Sequence, residues 1–544
     1  VEKTFEPSAA SLGRCARAWL VTLGLALASA CTSLKSASDE VRAPDSDAAE
    51  ESPPDEQTPP DAEPEQEDAD SDAGMSCVDP DGFSQLGCYR CTPSDTVTLE
   101  NACADVSCTL FDDARRLGLW QPDGRLPDLP ANDPASAVSP SSAAPAPAPL
   151  PSCAEVTKLG KTLYATGSSA VQPFLAQIAR QFVTRGIYVI YTPTGSCVGV
   201  DAILNGTPMT TGAAPAPSTY ALYWSSAASE GERCALPAQG VTADLGISDV
   251  FAQSCPGFEI ADLALKRVRD AHGPIQTMAF VVPSNSGQLE ISAQAAYFVY
   301  GWGSGGMVRD ASGERTIWND EARILQRQAS SGTQALLSAA IGLPAARWKG
   351  KTHRTSDELV TSLLASGADL ALANLTLGIL AADYIDSKNL RAQVRVLAFR
   401  DTHQTCAVYP DSSATARDRR NVRDGHYPLW GPLHLFHVVN GDGLPAKEDT
   451  RQEVSDALGY LAGTKALPNG IKLIDLYADS GLIPECAMRV TRGMDGGEIT
   501  PKRPDSPCAC LYEARATGSS RCTPCKVQGD CKSGETCSLG YCEP

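Results

Sequence analysis

The sequence predicts an α/β protein, a mostly parallel sheet with helices on both faces, flanked by small disulfide-rich modules. From Lys158 onward short apolar strands alternate with stretches of helical spacing, and each early strand runs into a polar turn. On either side of that region cysteines cluster where long apolar runs are scarce. At 544 residues the chain exceeds what one core can hold, so several domains and linkers are expected.

In chain order, residues 1–31 read as a lipoprotein signal peptide. Arg14 and Arg17 precede an apolar run that ends in Ala28-Ser-Ala-Cys31, which makes Cys31 the expected lipidation site; cleavage of a plain secretory signal after Ala30 is the alternative. The run is shorter than the ~20 residues a membrane span needs. Residues 32–76 read as an acidic disordered tether. Within it, positions 39–72 hold fifteen acidic residues and one arginine, fourteen of the twenty net negative charges. The remainder is mildly acidic with no basic stripe, which excludes nucleic acid as a partner.

Residues 77–130, with Cys77, Cys88, Cys91, Cys103 and Cys108, read as a small cysteine-rich module, and residues 131–152 as an Ala/Pro/Ser linker. Cys88-Tyr-Arg-Cys91 has metal-ligand spacing, but no second such pair lies nearby and twenty cysteines mark an exported, disulfide-using chain. Residues 501–544 form a second cysteine-rich module, for which zinc is again the rival to disulfides. Both modules hold odd cysteine counts, so at least one bridge should reach core residues such as Cys153, Cys406 or Cys486.

Between the modules, strands are expected at 163–165, 187–191, 244–247, 274–283, 370–372, 394–399 and 433–438. Helices are expected at 175–183, 291–300, 334–341, 356–365, 378–386, 449–462 and 470–479. Positions 205–242 read as an insertion, either a cleft rim or a surface loop. His434 and His437, three apart on a strand, point to opposite faces, so no metal pair is expected. Nucleophile elbow, zinc-protease and Walker patterns are missing from the sequence, so neither an enzyme nor a cofactor is expected.

Three turns share one chemistry. Gly167-Ser-Ser-Ala170, Thr194-Gly-Ser-Cys197 and Arg327-Gln-Ala-Ser-Ser-Gly-Thr333 each open a helical stretch. Helix starts carry N–H groups without intrahelical partners, small residues let an oxyanion approach them, and Ser330, Ser331, Thr333 and Arg327 add donors. Ordinary N-caps are the competing reading for any one of them. Between the second and third turns Gly246-Ile-Ser-Asp249 ends a strand in a carboxylate.

In this order the motifs resemble the phosphate-binding (PstS-like) proteins of bacterial high-affinity phosphate uptake, within the type 2 periplasmic binding-protein superfamily. The resemblance covers roughly residues 158–486. It implies a two-lobed fold with a hinge over 153–500, lobe 1 at about 153–275 and 400–500 and lobe 2 at about 276–399. It also implies a ligand set of Ser169, the backbone N–H of Ala170, Ser196, Asp249, Arg327, Ser331, Gly332 and Thr333. Asp249 would accept the proton that phosphate carries and sulfate lacks. Ala329 stands where such proteins often carry an acid that holds the arginine, and Cys197 replaces a common serine. The function implied is that of a lipid-anchored extracytoplasmic protein, a monomer held in the periplasm or on the outer membrane, that delivers inorganic phosphate to an ABC permease. An envelope interaction protein on the same scaffold and a binder of another oxyanion are the alternatives.

Overall fold

The computed structural model describes residues 88–130, 150–212, 218–228 and 230–544. The expected signal peptide with Cys31, the acidic tether, the start of the first cysteine module and most of the Ala/Pro/Ser linker lie outside the described residues.

The two largest sheets and a two-stranded pair are built from β1 (Cys108–Thr109), β2 (Lys161–Gly167), β3 (Ile187–Pro193), β4 (Ala221–Tyr223), β5 (Glu232–Cys234), β6 (Leu245–Ser248), β7 (Val268–Pro283) and β8 (Glu290–Ser292). They continue with β9 (Leu325–Arg327), β10 (Lys351–His353), β11 (Gly378–Ala381), β12 (Val394–Val396), β13 (Ala398–Arg400), β14 (Ala407–Val408) and β15 (Trp430–Val438). The largest sheet has the order β11-β7-β15-β6-β2-β3-β4-β5, with β12 also paired to β7. Only the β2–β3 and β2–β6 ladders in it are parallel.

The sheet is therefore mixed rather than mostly parallel. Strand–helix alternation governs β2, β3 and β6, which crossover helices connect. The β7–β15 ladder joins segments far apart in the chain, and no local period reports such a pairing. β7, at sixteen residues, is longer than its apolar run. Its residues through Thr277 pair with β15, and Met278 to Pro283 pair with β11 and β12, so this one strand joins β11 and β12 to the rest of the sheet.

Two assignments differ from expectation. Positions 370–372 belong to a helix, Leu370–Leu375, started by the Asp369 carboxylate, which accepts from the N–H groups of Ala371 and Leu372. Positions 378–386 split into β11 and the helix Ala382–Ser387. All four residues of β11 are buried, and a short run buried on both faces carries no period to tell strand from helix. The segment read as an insertion builds β4 and β5, which extend the sheet beyond β3, and a Cys153–Cys234 bridge holds it.

Helix Gln172–Val183 buries Phe174, Leu175, Ile178, Ala179 and Phe182, one apolar stripe, against the sheet and two later helices. Phe182 meets Tyr460 of Arg451–Leu461 at 5.4 Å between ring centroids, and Phe174 meets Tyr477 of Leu473–Ser480 at 5.5 Å. Each such ring contributes about 1.5–3 kcal/mol by leaving water. This packing fixes the N-terminus of the helix at the end of β2.

Bridges Cys108–Cys406 and Cys486–Cys508 tie both cysteine-rich segments to core residues, and β1 adds to a second sheet of order β1-β14-β13-β8. Cys88–Cys103, Cys510–Cys522, Cys525–Cys537 and Cys531–Cys542 are local, and Cys91 is also disulfide-bonded. The Cys88-Tyr-Arg-Cys91 spacing, and Cys522-Thr-Pro-Cys525 in the second module, thus serve disulfides. All described residues fall in one compact unit, residues 71–544. Among them no helix is long and apolar enough to cross a membrane.

Candidate functional site

The helices Gln172–Val183, Ser196–Leu204 and Gly332–Ala340 begin without a side-chain cap, so their first N–H groups are not taken by the residue before them. Their starts come together at the ends of β2, β3 and β6. Gly167 makes this possible: at φ 141°, a Cβ there would lie 1.8 Å from the Ile247 carbonyl oxygen, so no other residue lets β2 end against β6. Backbone bonds then lace the turns together. Thr194 N donates to Gly167 O at 2.9 Å, and Cys197 N donates to Ser330 O at 3.0 Å. Gln328 Nε2 donates to Thr194 O at 3.0 Å.

Asp249 sits in the middle. Its N–H donates to Ser196 Oγ at 3.0 Å, and a Cβ on Gly332 would lie 2.2 Å from Ser196 Oγ and 2.9 Å from Asp249 Oδ2. Glycine at 332 is thus what lets the third turn close over the carboxylate. On the other side Ser169 Oγ is 3.3 Å from Ser356 Oγ, which accepts from an Arg327 guanidinium nitrogen at 3.0 Å. Ser169, Ser196, Asp249, Arg327, Ser331 and Thr333 are each at most 3% exposed. Water is largely shut out, which strengthens every charge interaction among them.

Burial pushes Asp249 up to about 6, against the hydroxyls of Ser168 and Ser196 and the charges of Arg327 and His434, which favour the anion. Its Oδ1 and the Thr333 hydroxyl are buried without hydrogen-bond partners among the described residues. Arg327 is lowered to about 10 by burial and stays a cation at neutral pH.

The structure answers the two departures noted in the sequence. With Ala329 in place of an acid, Arg327 is held by the carbonyls of Arg354 at 2.8 Å and His353 at 3.4 Å, and by Ser356. Cys197 is bridged to Cys255, which staples the second turn to the segment that follows Asp249. One expected contact differs. The Ala170 N–H donates to Ser168 Oγ at 3.1 Å, because the turn closes on itself just before the helix, and so it is already engaged.

Two residues escaped the sequence reading. Ser356 opens the helix Ser356–Ser366 and touches both Ser169 and Arg327. Asp383 follows β11 as Asp249 follows β6, a parallel hidden by reading that segment as helix. Burial pushes Asp383 up to about 8, aided by the Asp249 charge and opposed by Gln276, whose Nε2 donates to it at 3.2 Å. Beside the seat lies a cavity of about 570 Å³ bordered by Gln172, Tyr220, Arg233, Arg354 and Lys388. Tyr220 and Arg233 belong to the segment read as an insertion, which therefore forms one wall of that cavity.

No family model matches the chain, and no curated protein matches it. Solved structures match over part of it. An ABC-type phosphate transport receptor from Vibrio cholerae aligns at TM-score 0.34 and 14% identity over 59% of this chain and 99% of its own. A phosphate-binding protein from Stenotrophomonas maltophilia aligns at 0.35 and 12% over 60% and 90%. The reduced regulatory domain of OxyR from Pseudomonas aeruginosa aligns at 0.28 and 12% over 55% and 96%.

Proposed function

We propose that this chain is a solute-binding protein that captures inorganic phosphate in the seat around Asp249. One observation carries the reading: a buried carboxylate with an unpartnered oxygen stands among helix starts, hydroxyls and a guanidinium. A seat made only of donors would take any oxyanion. An acceptor placed among the donors asks the guest for a proton, which phosphate has at neutral pH and sulfate does not. Ser169, Ser196, Ser331, Thr333, the Gly332 N–H and Arg327 would donate to the other oxygens. Binding without chemical conversion is the role proposed for this arrangement. Closure of two lobes about β7, a lipid anchor at Cys31, residence outside the cytoplasm, a monomeric state and delivery to an ABC permease belong to this proposal.

Calorimetric titration with phosphate and with sulfate is the direct test: phosphate should bind in a 1:1 ratio and sulfate not measurably at millimolar concentration. Equal binding of both anions, or of neither, removes the reading. Gly332→Ala is a second test that leaves every donor in place. Its methyl group must displace Ser196 and Asp249, an overpacking of about 1–3 kcal/mol, so phosphate binding should weaken about 10- to 100-fold with little change in circular dichroism.

A further inference from the structure

On β15 next to Ser248, the residue before Asp249, His434 meets Asp270 and His272 of β7. His272 and His434 are directly opposed in antiparallel register, which places both side chains on one face of the sheet. Asp270, two residues before His272, shares that face. Asp270 Oδ2 lies 2.8 Å from His434 Nδ1 and 3.7 Å from His272 Nε2, and the two imidazole centroids are 4.9 Å apart. One ligand atom from each residue lies within 4.8 Å of the other two. The pair His434 and His437 does diverge along β15: His437 Nδ1 lies 3.3 Å from the Leu435 carbonyl oxygen. The partner of His434 comes instead from β7, far away in the chain.

We propose that Asp270, His272 and His434 form a binding site for a divalent transition metal of the zinc class. Two imidazoles and a carboxylate are a donor set suited to zinc and its first-row neighbours. With bonds of about 2.0–2.1 Å, ligand atoms on a tetrahedral ion stand about 3.3 Å apart, a value that the two observed separations bracket. Side-chain movements of less than about 1 Å would seat the ion. His434 has no exposed side-chain surface, and among the described residues its Nε2 and Asp270 Oδ1 are buried without hydrogen-bond partners; both lie outside the three atoms that would hold the ion.

The surroundings fit an open metal site. Phe251, 4.3 Å from the His434 ring, and Phe436, stacked on it at 5.7 Å, set the plane of that imidazole. The His272 side chain is 43% exposed, which gives an ion a route from solvent. It also borders a cavity of about 50 Å³ that Glu485 and Lys502 line as well.

The test is titration of the whole chain, disulfides intact and stripped by a chelator, with zinc chloride by calorimetry. Cobalt(II) absorption in the visible range then serves as a probe of coordination. The expected result is one ion per chain with a tetrahedral cobalt spectrum, weakened at least about 10-fold in His272→Ala and in Asp270→Asn. His272→Ala removes a half-exposed ring, so the variant should fold, and its phosphate titration should match that of the natural protein. Absence of a spectrum, or binding unchanged in His272→Ala, overturns the proposal and leaves Asp270 as an acceptor shared by two imidazoles.

Discussion

Asp249→Asn is expected to bring sulfate affinity to within about tenfold of phosphate affinity, where the proposed seat should separate them by roughly 10⁴. The carboxylate can only accept. Sulfate placed against it would set two charged oxygens together without a proton between them, in a seat whose residues are almost wholly withdrawn from water. An asparagine amide can turn its nitrogen toward sulfate or its oxygen toward the phosphate hydroxyl, so it serves both. Titration of both anions at pH 7 measures the ratio, and an unchanged ratio would mean that the carboxylate does not face the guest.

Acidity offers a second view of the same group. Because burial holds Asp249 at about 6, it is mostly ionised at pH 7 and mostly protonated at pH 5. Once protonated it becomes a donor, so the natural protein should begin to accept sulfate between those values, and the asparagine variant should not change. Stability follows from the same shift. The folded-state value stands above the usual 3.8, so the folded state binds the proton more tightly, and stability is lost as pH rises from about 4 to 6. Above pH 6 the unliganded Asp249→Asn protein should therefore be more stable by up to roughly 3 kcal/mol, with little difference at pH 4.

What could be read in the sequence was what is local. Gly167-Ser-Ser, Thr194-Gly-Ser-Cys197 and the stretch from Arg327 to Thr333 each announce a helix start over a few residues, and the structure brings them to one place. Strand ends such as Ile247-Ser-Asp249 are equally local. The residues that complete the site arrive by long-range pairing. Ser356 reaches Ser169 from 187 positions away, and Arg327 is held by the carbonyls of His353, the last residue of the strand that β9 meets in parallel register, and of Arg354 just after it. The Cys197–Cys255 bridge obeys no spacing rule. Apolar periodicity failed where a segment is buried on both faces, as in β11, since nothing there alternates. That failure concealed Asp383.

Asp383 leads to the other large effect, because the helix that carries it is anchored by a buried ion network. Arg419, with no exposed side-chain surface, donates to Asp411 Oδ1 at 2.9 Å and Oδ2 at 2.7 Å, to the Gly481 carbonyl at 3.1 Å and to Asp386 Oδ2. Arg391 donates to the same two carboxylates, at 2.9 Å to Asp386 Oδ2 and 3.0 Å to Asp411 Oδ2. Arg419 also holds a left-handed backbone, φ 50°, which costs on the order of 1 kcal/mol and persists because its own N–H is tied to Asp411 Oδ1 at 2.8 Å.

Arg419→Met keeps the volume and removes the charge. Two buried carboxylates would then share one arginine, and breaking such a network destabilises by about 3–5 kcal/mol. Denaturant unfolding at pH 7 should show that loss. The pH dependence separates a lost charge from lost packing. Burial drives Asp386 upward, yet Arg419 and Arg391 hold it below the usual carboxylate value, so its contribution is present above pH 4 and fades as acid protonates it. In the methionine variant burial is opposed by Arg391 without Arg419, and the deficit should shrink toward pH 4 as the carboxylates take up protons. A deficit of the same size at pH 4 and pH 7 would show that shape rather than charge holds the helix that presents Asp383 to the seat.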